Sequence, residues 1–257
     1  MTTPANDCVL QVRGLKKHFG GVHAIDGIDL EVMRGEILGV IGPNGAGKTA
    51  LINTITGFYR ATEGSISLGG VDITHLPMNR IGRLGVGRTF QNIRLFKRMT
   101  VLENVMVAAD DRHHSAWRQW FKPSSRQGQA QALRWLDLLH LSDKANQSAA
   151  SLAYGDARRL EIARALAGQP QVLLLDEPAA GMNEVETTQL SQDILSIRAH
   201  VQAIVLIEHD MGLIRALSDR IVALDYGRKI AQGSADEVLS HPEVMRAYLG
   251  TAEEEQA

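Results

Sequence analysis

One cysteine stands in the 257 residues, so Cys8 cannot close an internal disulfide and has no second thiol with which to build a metal site. Long apolar runs are missing too. No stretch approaches the ~18 consecutive apolar residues of a membrane-spanning helix. The polar opening Met1-Thr2-Thr3-Pro4-Ala5-Asn6-Asp7 lacks the apolar region of a signal peptide. Acids and bases nearly cancel to a formal charge of −2, which argues against the broad basic footprint of a nucleic-acid binder. These absences predict a soluble, cytosolic protein whose link to any membrane runs through a partner. The apolar fraction, 44%, is ordinary for a globular chain and sufficient for a sizeable core.

What is present begins with Gly42-Pro43-Asn44-Gly45-Ala46-Gly47-Lys48-Thr49, which fits the phosphate-binding pattern G-x-x-x-x-G-K-[ST]. An apolar run, Ile37 to Ile41, precedes it as a buried strand, and Ala50 to Thr56 suits a helix that opens at the loop. The glycines let successive N–H groups converge on phosphate oxygens, with the helix N-terminus behind them. Lys48 supplies a mobile positive charge for the β- and γ-phosphates, and the Thr49 hydroxyl can ligate Mg²⁺. A chance match in a chain of this length has odds of about one in a hundred. The chain is therefore expected to bind a nucleoside triphosphate.

Around this loop, Ile28, Leu30 and Val32 alternate with Asp29 and Glu31 as in a half-buried antiparallel strand. Ser65–Leu68, the Gly69-Gly70 turn and Val71–Ile73 read as a hairpin. From Thr100 the period becomes helical, opened by a capping box with Glu103 and resumed at Ala132, Leu133, Leu136, Leu139 and Leu141. Residues 92–150 are nearly strand-free and are read as a helical subdomain inserted into an α/β core formed by residues 1–91 and 151–257. Strands at 172–175, 203–207 and 221–224 then alternate with helices near 184–200 and 210–218, the order of a parallel sheet covered by helices. Ser234 and Glu237 form a second capping box, and Gly250 is expected to stop the last helix before an acidic tail.

Val172-Leu173-Leu174-Leu175-Asp176-Glu177 is a buried strand ending in two acids at the edge where open α/β sheets bind ligands. Asp176 is placed to hold Mg²⁺ next to Thr49, and Glu177 to polarise an attacking water. Alternation along a strand would separate the two side chains. His209 ends the strand Ile204–Glu208 and can reach the same edge, either toward a γ-phosphate or as a helix cap.

Together and in order, from about residue 9 to residue 250, these pieces resemble the ATP-binding subunits of ABC transporters. The resemblance implies a P-loop NTPase of α/β class, an ABC ATPase core with an antiparallel β-subdomain and an inserted α-helical subdomain. It makes Gly87-Arg88-Thr89-Phe90-Gln91 the Q-loop, with Gln91 sensing Mg²⁺ or the water and coupling to the membrane subunit. His209 becomes the switch histidine and Ala180-Gly181-Met182-Asn183 the D-loop. Leu152-Ala153-Tyr154-Gly155-Asp156 sits at the LSGGQ signature, so Ala153, Tyr154 and Gly155 would face the γ-phosphate bound by a second ATPase subunit. Phe19 matches the aromatic that stacks on adenine, or is an edge-strand residue. Ala153, Tyr154, Asp156 and Asn183 depart from the family pattern on the side offered to the partner, which implies unequal sites and a heterodimer. The LAYGD signature, Ile207-Glu208-His209-Asp210 and the ending Ala247-Tyr248-Leu249-Gly250 resemble the subunits of branched-chain amino-acid importers. Similar ATPases serve amides, other amino acids or lipopolysaccharide, so the resemblance leaves those cargoes as the alternative. It implies permease subunits at the cytoplasmic face of the inner membrane, indirectly a substrate-binding protein, and no nucleic acid. Trp117, Trp120 and Phe121, among basic residues, are read as folding onto the helical subdomain, with contact to a membrane subunit or lipid head groups as the alternative.

Two other classes are weighed. An ABC-type ATPase acting on DNA or the ribosome usually carries tandem units, coiled-coil insertions or zinc-binding cysteines. A phosphate-loop kinase or GTPase needs no signature helix, and the guanine-reading N-K-x-D is absent here.

Overall fold

The computed structural model describes residues 7–110 and 126–254; Trp117, Trp120 and Phe121 lie outside them. Two sheets organise the described residues. Strands β1 (Cys8–Phe19), β2 (Val22–Met33), β4 (Glu63–Leu68) and β5 (Val71–Asp72) form an antiparallel sheet in the order β2-β1-β4-β5. Strands β3 (Ile37–Ile41), β6 (Val86–Arg88), β7 (Val172–Asp176), β8 (Ala203–Ile207), β9 (Arg220–Asp225) and β10 (Arg228–Gly233) form the second, in the order β10-β9-β3-β8-β7-β6. All its pairings are parallel except the β9–β10 edge hairpin.

The apolar runs make sense against this sheet, because every residue of β3, β7 and β8 is buried. Alternation sends Ile37, Leu173, Leu175, Ile204 and Leu206 to one face and Leu38, Val40, Leu174 and Val205 to the other. The second face packs under the antiparallel sheet and α1 (Lys48–Ile55), through Leu51, Ile52 and Ile55. The first face is covered by helices.

Those helices are α3 (Val101–Asp110), α4 (Arg126–Leu138), α5 (Tyr154–Ala167), α6 (Glu184–Arg198), α7 (Met211–Leu217), α8 (Ala235–Leu239) and α9 (Pro242–Glu254), while α2 (Met78–Leu84) sits before β6. The capping boxes read at Thr100 and Ser234 are formed, each with its glutamate reaching back to the cap N–H. Between Arg88 and Tyr154 the described residues hold helices, two short 3-10 turns and one isolated bridge, Thr100 to Ser148. One expectation fails. Helix α9 runs through Gly250 to Glu254, so Gly250 is not its stop. A helix-interior glycine costs only about 1 kcal/mol relative to alanine, and the alanine and glutamates that follow are good helix formers.

Candidate active site

The carboxyl ends of β3, β8 and β7 lie side by side, and each carries a segment singled out from the sequence. The phosphate loop leaves β3 with Gly42, Gly45 and Gly47 at φ of 156°, 80° and 101°. Side chains would collide at two of these. A Cβ on Gly42 would stand 2.4 Å from the Leu224 carbonyl oxygen, and one on Gly47 2.5 Å from that of Ala24. The loop is thus pressed against β2 and β9, while Asn44 and Gly45 are exposed. Pro43 is buried and Ala46 packs into the core, its carbonyl accepting from the Gly227 N–H at 3.0 Å. The first turn of α1 has neither a side-chain cap nor an acidic residue.

Lys48 is buried, and its Nζ donates to the carbonyls of Gly42 at 2.6 Å and Pro43 at 3.0 Å. Burial pushes its ammonium below the ordinary 10.5, against the pull of the Glu177 and Asp176 carboxylates. Thr49, next on the helix, is exposed. An open loop, an uncapped helix start and a desolvated ammonium make a cradle that a polyphosphate fits.

Asp176 is buried at the end of β7, where Arg88 Nη2 donates to its Oδ2 at 2.9 Å. Burial raises its carboxyl, opposed by that guanidinium. Arg88 also reaches Asn53 at 2.6 Å, which ties β6 to the phosphate-loop helix. Glu177 separates from Asp176 by a mechanism the strand pattern did not contain. Its φ is 48°, so the backbone turns left-handed immediately after the strand. The turn brings the Glu177 carboxylate between two other expected residues. Gln91 Nε2 donates to Oε2 at 2.7 Å, and His209 Nε2 stands 2.7 Å from Oε1 and donates there in the tautomer protonated at Nε2. Glu177, Gln91 and His209 thus form one cluster. The oxygen donors Thr49, Gln91 and Asp176 are the hard-ligand set that suits Mg²⁺.

Comparison with known proteins decides the family. The ABC transporter family model matches residues 25–180, and the model of the branched-chain amino acid ATP-binding cassette transporter matches residues 228–254. The chain is 46% identical over 254 residues to the high-affinity branched-chain amino acid transport ATP-binding protein LivG of Escherichia coli K12, covering 95% of this chain and 98% of that one. It is 44% identical over 251 residues to BraF of Pseudomonas aeruginosa, with 95% and 98% covered. The ADP conformation of MJ1267, an ATP-binding cassette of an ABC transporter, superposes with a TM-score of 0.85 at 32% identity, covering 95% of this chain and 99% of that one.

The chain belongs to the ABC transporter family. It is an ATP-binding, ATP-hydrolysing member, and among its described residues no helix is long and apolar enough to cross a membrane.

The segment read as the signature opens α5, where Ala153 is the N-cap with no side-chain capping bond. Ala153 and Tyr154 are exposed, and Gly155 is buried. A Cβ on Gly155 would stand 2.9 Å from a Glu186 carboxylate oxygen, so glycine lets α5 approach α6. The Tyr154 hydroxyl donates to the Ala180 carbonyl of the D-loop at 2.8 Å. Asp156 is paired within its own chain to Lys144 at 2.5 Å and Arg159 at 3.4 Å. Asn183 caps α6 in a capping box with Glu186. Phe19 is 43% exposed at the tip of β1, with its ring edge-on to Tyr59 at 4.9 Å and Lys17 Nζ 4.5 Å above it.

Several residues that buttress these segments were given no role from the sequence. Glu208 is buried and accepts from the N–H groups of Ala179 at 2.7 Å and His209 at 3.2 Å, holding His209 to the turn after β7. Burial raises its carboxyl, and those N–H groups lower it. Arg158 and Glu161 pair at 2.9 Å inside the protein and clamp the backbone at Phe90, Gln91 and Arg94. An acid at a strand end or charges on a helix look like solvated groups until the tertiary fold buries them. Tyr248 of α9 has its hydroxyl pushed up to about 12 by burial, an effect the backbone of Gly42 in the phosphate loop opposes.

Proposed function

We propose that this chain drives a membrane importer for branched-chain or chemically related amino acids, with Glu177 as the group that orients and deprotonates the attacking water. The observation that carries the reading is the Glu177 carboxylate, held from both sides by Gln91 and His209 at the sheet edge that also carries Lys48. In this mechanism Lys48 leaves its carbonyl partners for the β- and γ-phosphates. Phe19 packs on the adenine, and the loop 42–49 wraps the phosphates with its N–H groups. Thr49, Asp176 and Gln91 are the residues that would hold Mg²⁺, which supplies charge neutralisation at the phosphates when bound. Glu177 takes the proton of the water, and His209 and Gln91 fix the carboxylate for it.

Cargo class is supported by the family match over residues 228–254 and by the names of the relatives. Residues 92–150 serve as the inserted helical subdomain, and residues 1–91 with 151–257 as the core. A groove of about 420 Å³ between α2, β6, α3 and α5 suits a short permease segment with apolar and acidic side chains. Exposed Phe96 and Val107 offer it apolar contact, and Arg83 and Arg164 offer charge. The subunit would sit at the cytoplasmic face of the inner membrane through such contacts, with a substrate-binding protein delivering cargo on the other side. Two ATPase subunits would enclose two nucleotides, each signature helix serving the partner's site. A heterodimer is favoured because Ala153 brings no hydroxyl to that task. The test is reconstitution with the permeases and binding protein in liposomes. ATP-dependent uptake of labelled leucine, isoleucine or valine, lost in Lys48→Ala, is expected. ATP hydrolysis without uptake of these amino acids would refute the cargo assignment.

A further inference from the structure

We infer that Tyr154 and Arg158 are positioning residues for Glu177, joining the signature helix to the hydrolytic cluster of the same chain through a closed ring of hydrogen bonds. The inference rests on the reading of Glu177 as the hydrolytic carboxylate. The ring begins at Glu177, whose Oε2 accepts from Gln91 Nε2 at 2.7 Å. The Gln91 carbonyl accepts from Arg158 Nη2 at 2.8 Å. The same Nη2 reaches the Tyr154 hydroxyl oxygen at 3.4 Å. That hydroxyl donates to the Ala180 carbonyl at 2.8 Å, and the Ala180 N–H returns to the Glu177 carbonyl at 3.2 Å.

The four hydrogens on the two terminal nitrogens of Arg158 all find acceptors, while its buried Nε has none. Nη2 has two hydrogens and uses one on Gln91 and one on Tyr154, while Nη1 serves the Phe90 carbonyl at 2.6 Å and Glu161 Oε2 at 2.9 Å. The tyrosine uses its single hydrogen on Ala180 and accepts with a lone pair. Arg158 is fully buried, so its fork geometry has no water to exchange with and holds the Q-loop backbone at a fixed distance from α5. The left-handed turn at Glu177 is pinned on both sides: through Gln91 at the carboxylate and through Ala180 at the backbone. A displacement of the start of α5 therefore pulls on Ala180 through Tyr154 and on Gln91 through Arg158. A glycine at position 154 could not make this link, so the tyrosine takes on a task in its own chain besides any it has toward a partner's nucleotide.

The test is a mutant cycle on hydrolysis by the assembled transporter. Tyr154→Phe removes one hydroxyl and keeps the ring of the side chain. It should lower kcat about tenfold, the scale of one lost hydrogen bond, with the KM for ATP within about twofold of wild type. Arg158→Lys should do the same, and the double variant should be no slower than the slower single variant, because one break already opens the ring. If Arg158→Lys does not fold, Gln91→Ala, at an exposed position, takes its place in the cycle. Losses that multiply to about a hundredfold in the double variant would overturn the inference, as would an unchanged kcat in Tyr154→Phe while Glu177→Gln is inactive. Full turnover in Glu177→Gln itself would sink the functional reading and this inference with it.

Discussion

At the scale of single residues, Glu208 shows how a buried acid fixes the two turns that carry Glu177 and His209. Both its oxygens accept backbone N–H groups, from Ala179 and His209. Glutamine offers only one acceptor, so Glu208→Gln leaves one buried N–H facing an amide donor. The variant should lose about 1–3 kcal/mol of stability and slow hydrolysis, with ATP affinity kept. Denaturant midpoints with a nucleotide-binding titration check both parts. The pH dependence has a definite sign. The carboxyl of Glu208 is raised above its ordinary 4.5 in the folded chain, chiefly by burial. The folded state then binds more protons than the unfolded one between 4.5 and the raised value, so this group's contribution is complete below 4.5 and declines as pH rises through the folded value. The stability advantage of wild type over Glu208→Gln should shrink from pH 4.5 upward; growth with pH would contradict the burial argument. Residue types at the site were legible where a motif fixes them, as at Lys48, Asp176, Glu177 and His209. What the motif could not convey was the left-handed turn at Glu177 or the inward-facing Arg158, because both depend on segments far apart in sequence.

At the scale of elements, periodicity carried most of the fold. Buried runs became central strands, and the capping boxes at Thr100 and Ser234 opened their helices where the side chains allow it. The resemblance places Asn183 in the D-loop, and the structure gives it a local task as the cap of α6, in a capping box with Glu186. Helix α9 offers a clean check. Since it continues through Gly250, Gly250→Ala should raise stability by about 0.5–1 kcal/mol. Were Gly250 a left-handed stop, alanine would lower it instead. Thermal unfolding of the two chains separates the cases.

At the scale of the whole molecule, two parallel-sheet faces and a second sheet bring the phosphate loop, the acids after β7 and the histidine after β8 to one edge. In the proposed two-subunit assembly the start of α5 faces the second subunit, and there Ala153, which makes no side-chain cap bond, would supply backbone alone. A missing hydrogen bond to a charged phosphate costs about 1.5–3 kcal/mol, so the site completed by this signature should turn over about 10- to 100-fold more slowly than the one served by Lys48 and Glu177. Replacing the catalytic glutamate in each ATPase separately should then give unequal losses of transport, the larger from Glu177→Gln. Equal losses, or full activity of this chain as a homodimer with the permeases, would defeat the asymmetry. The central claim is that Glu177 performs the chemistry and leaves binding to the phosphate loop. Its most direct test is Glu177→Gln in the assembled transporter, with the ATP dissociation constant and the hydrolysis rate measured on one preparation. Affinity should be unchanged and hydrolysis slowed by at least ~100-fold; lost affinity, or hydrolysis near the wild-type rate, would contradict the account.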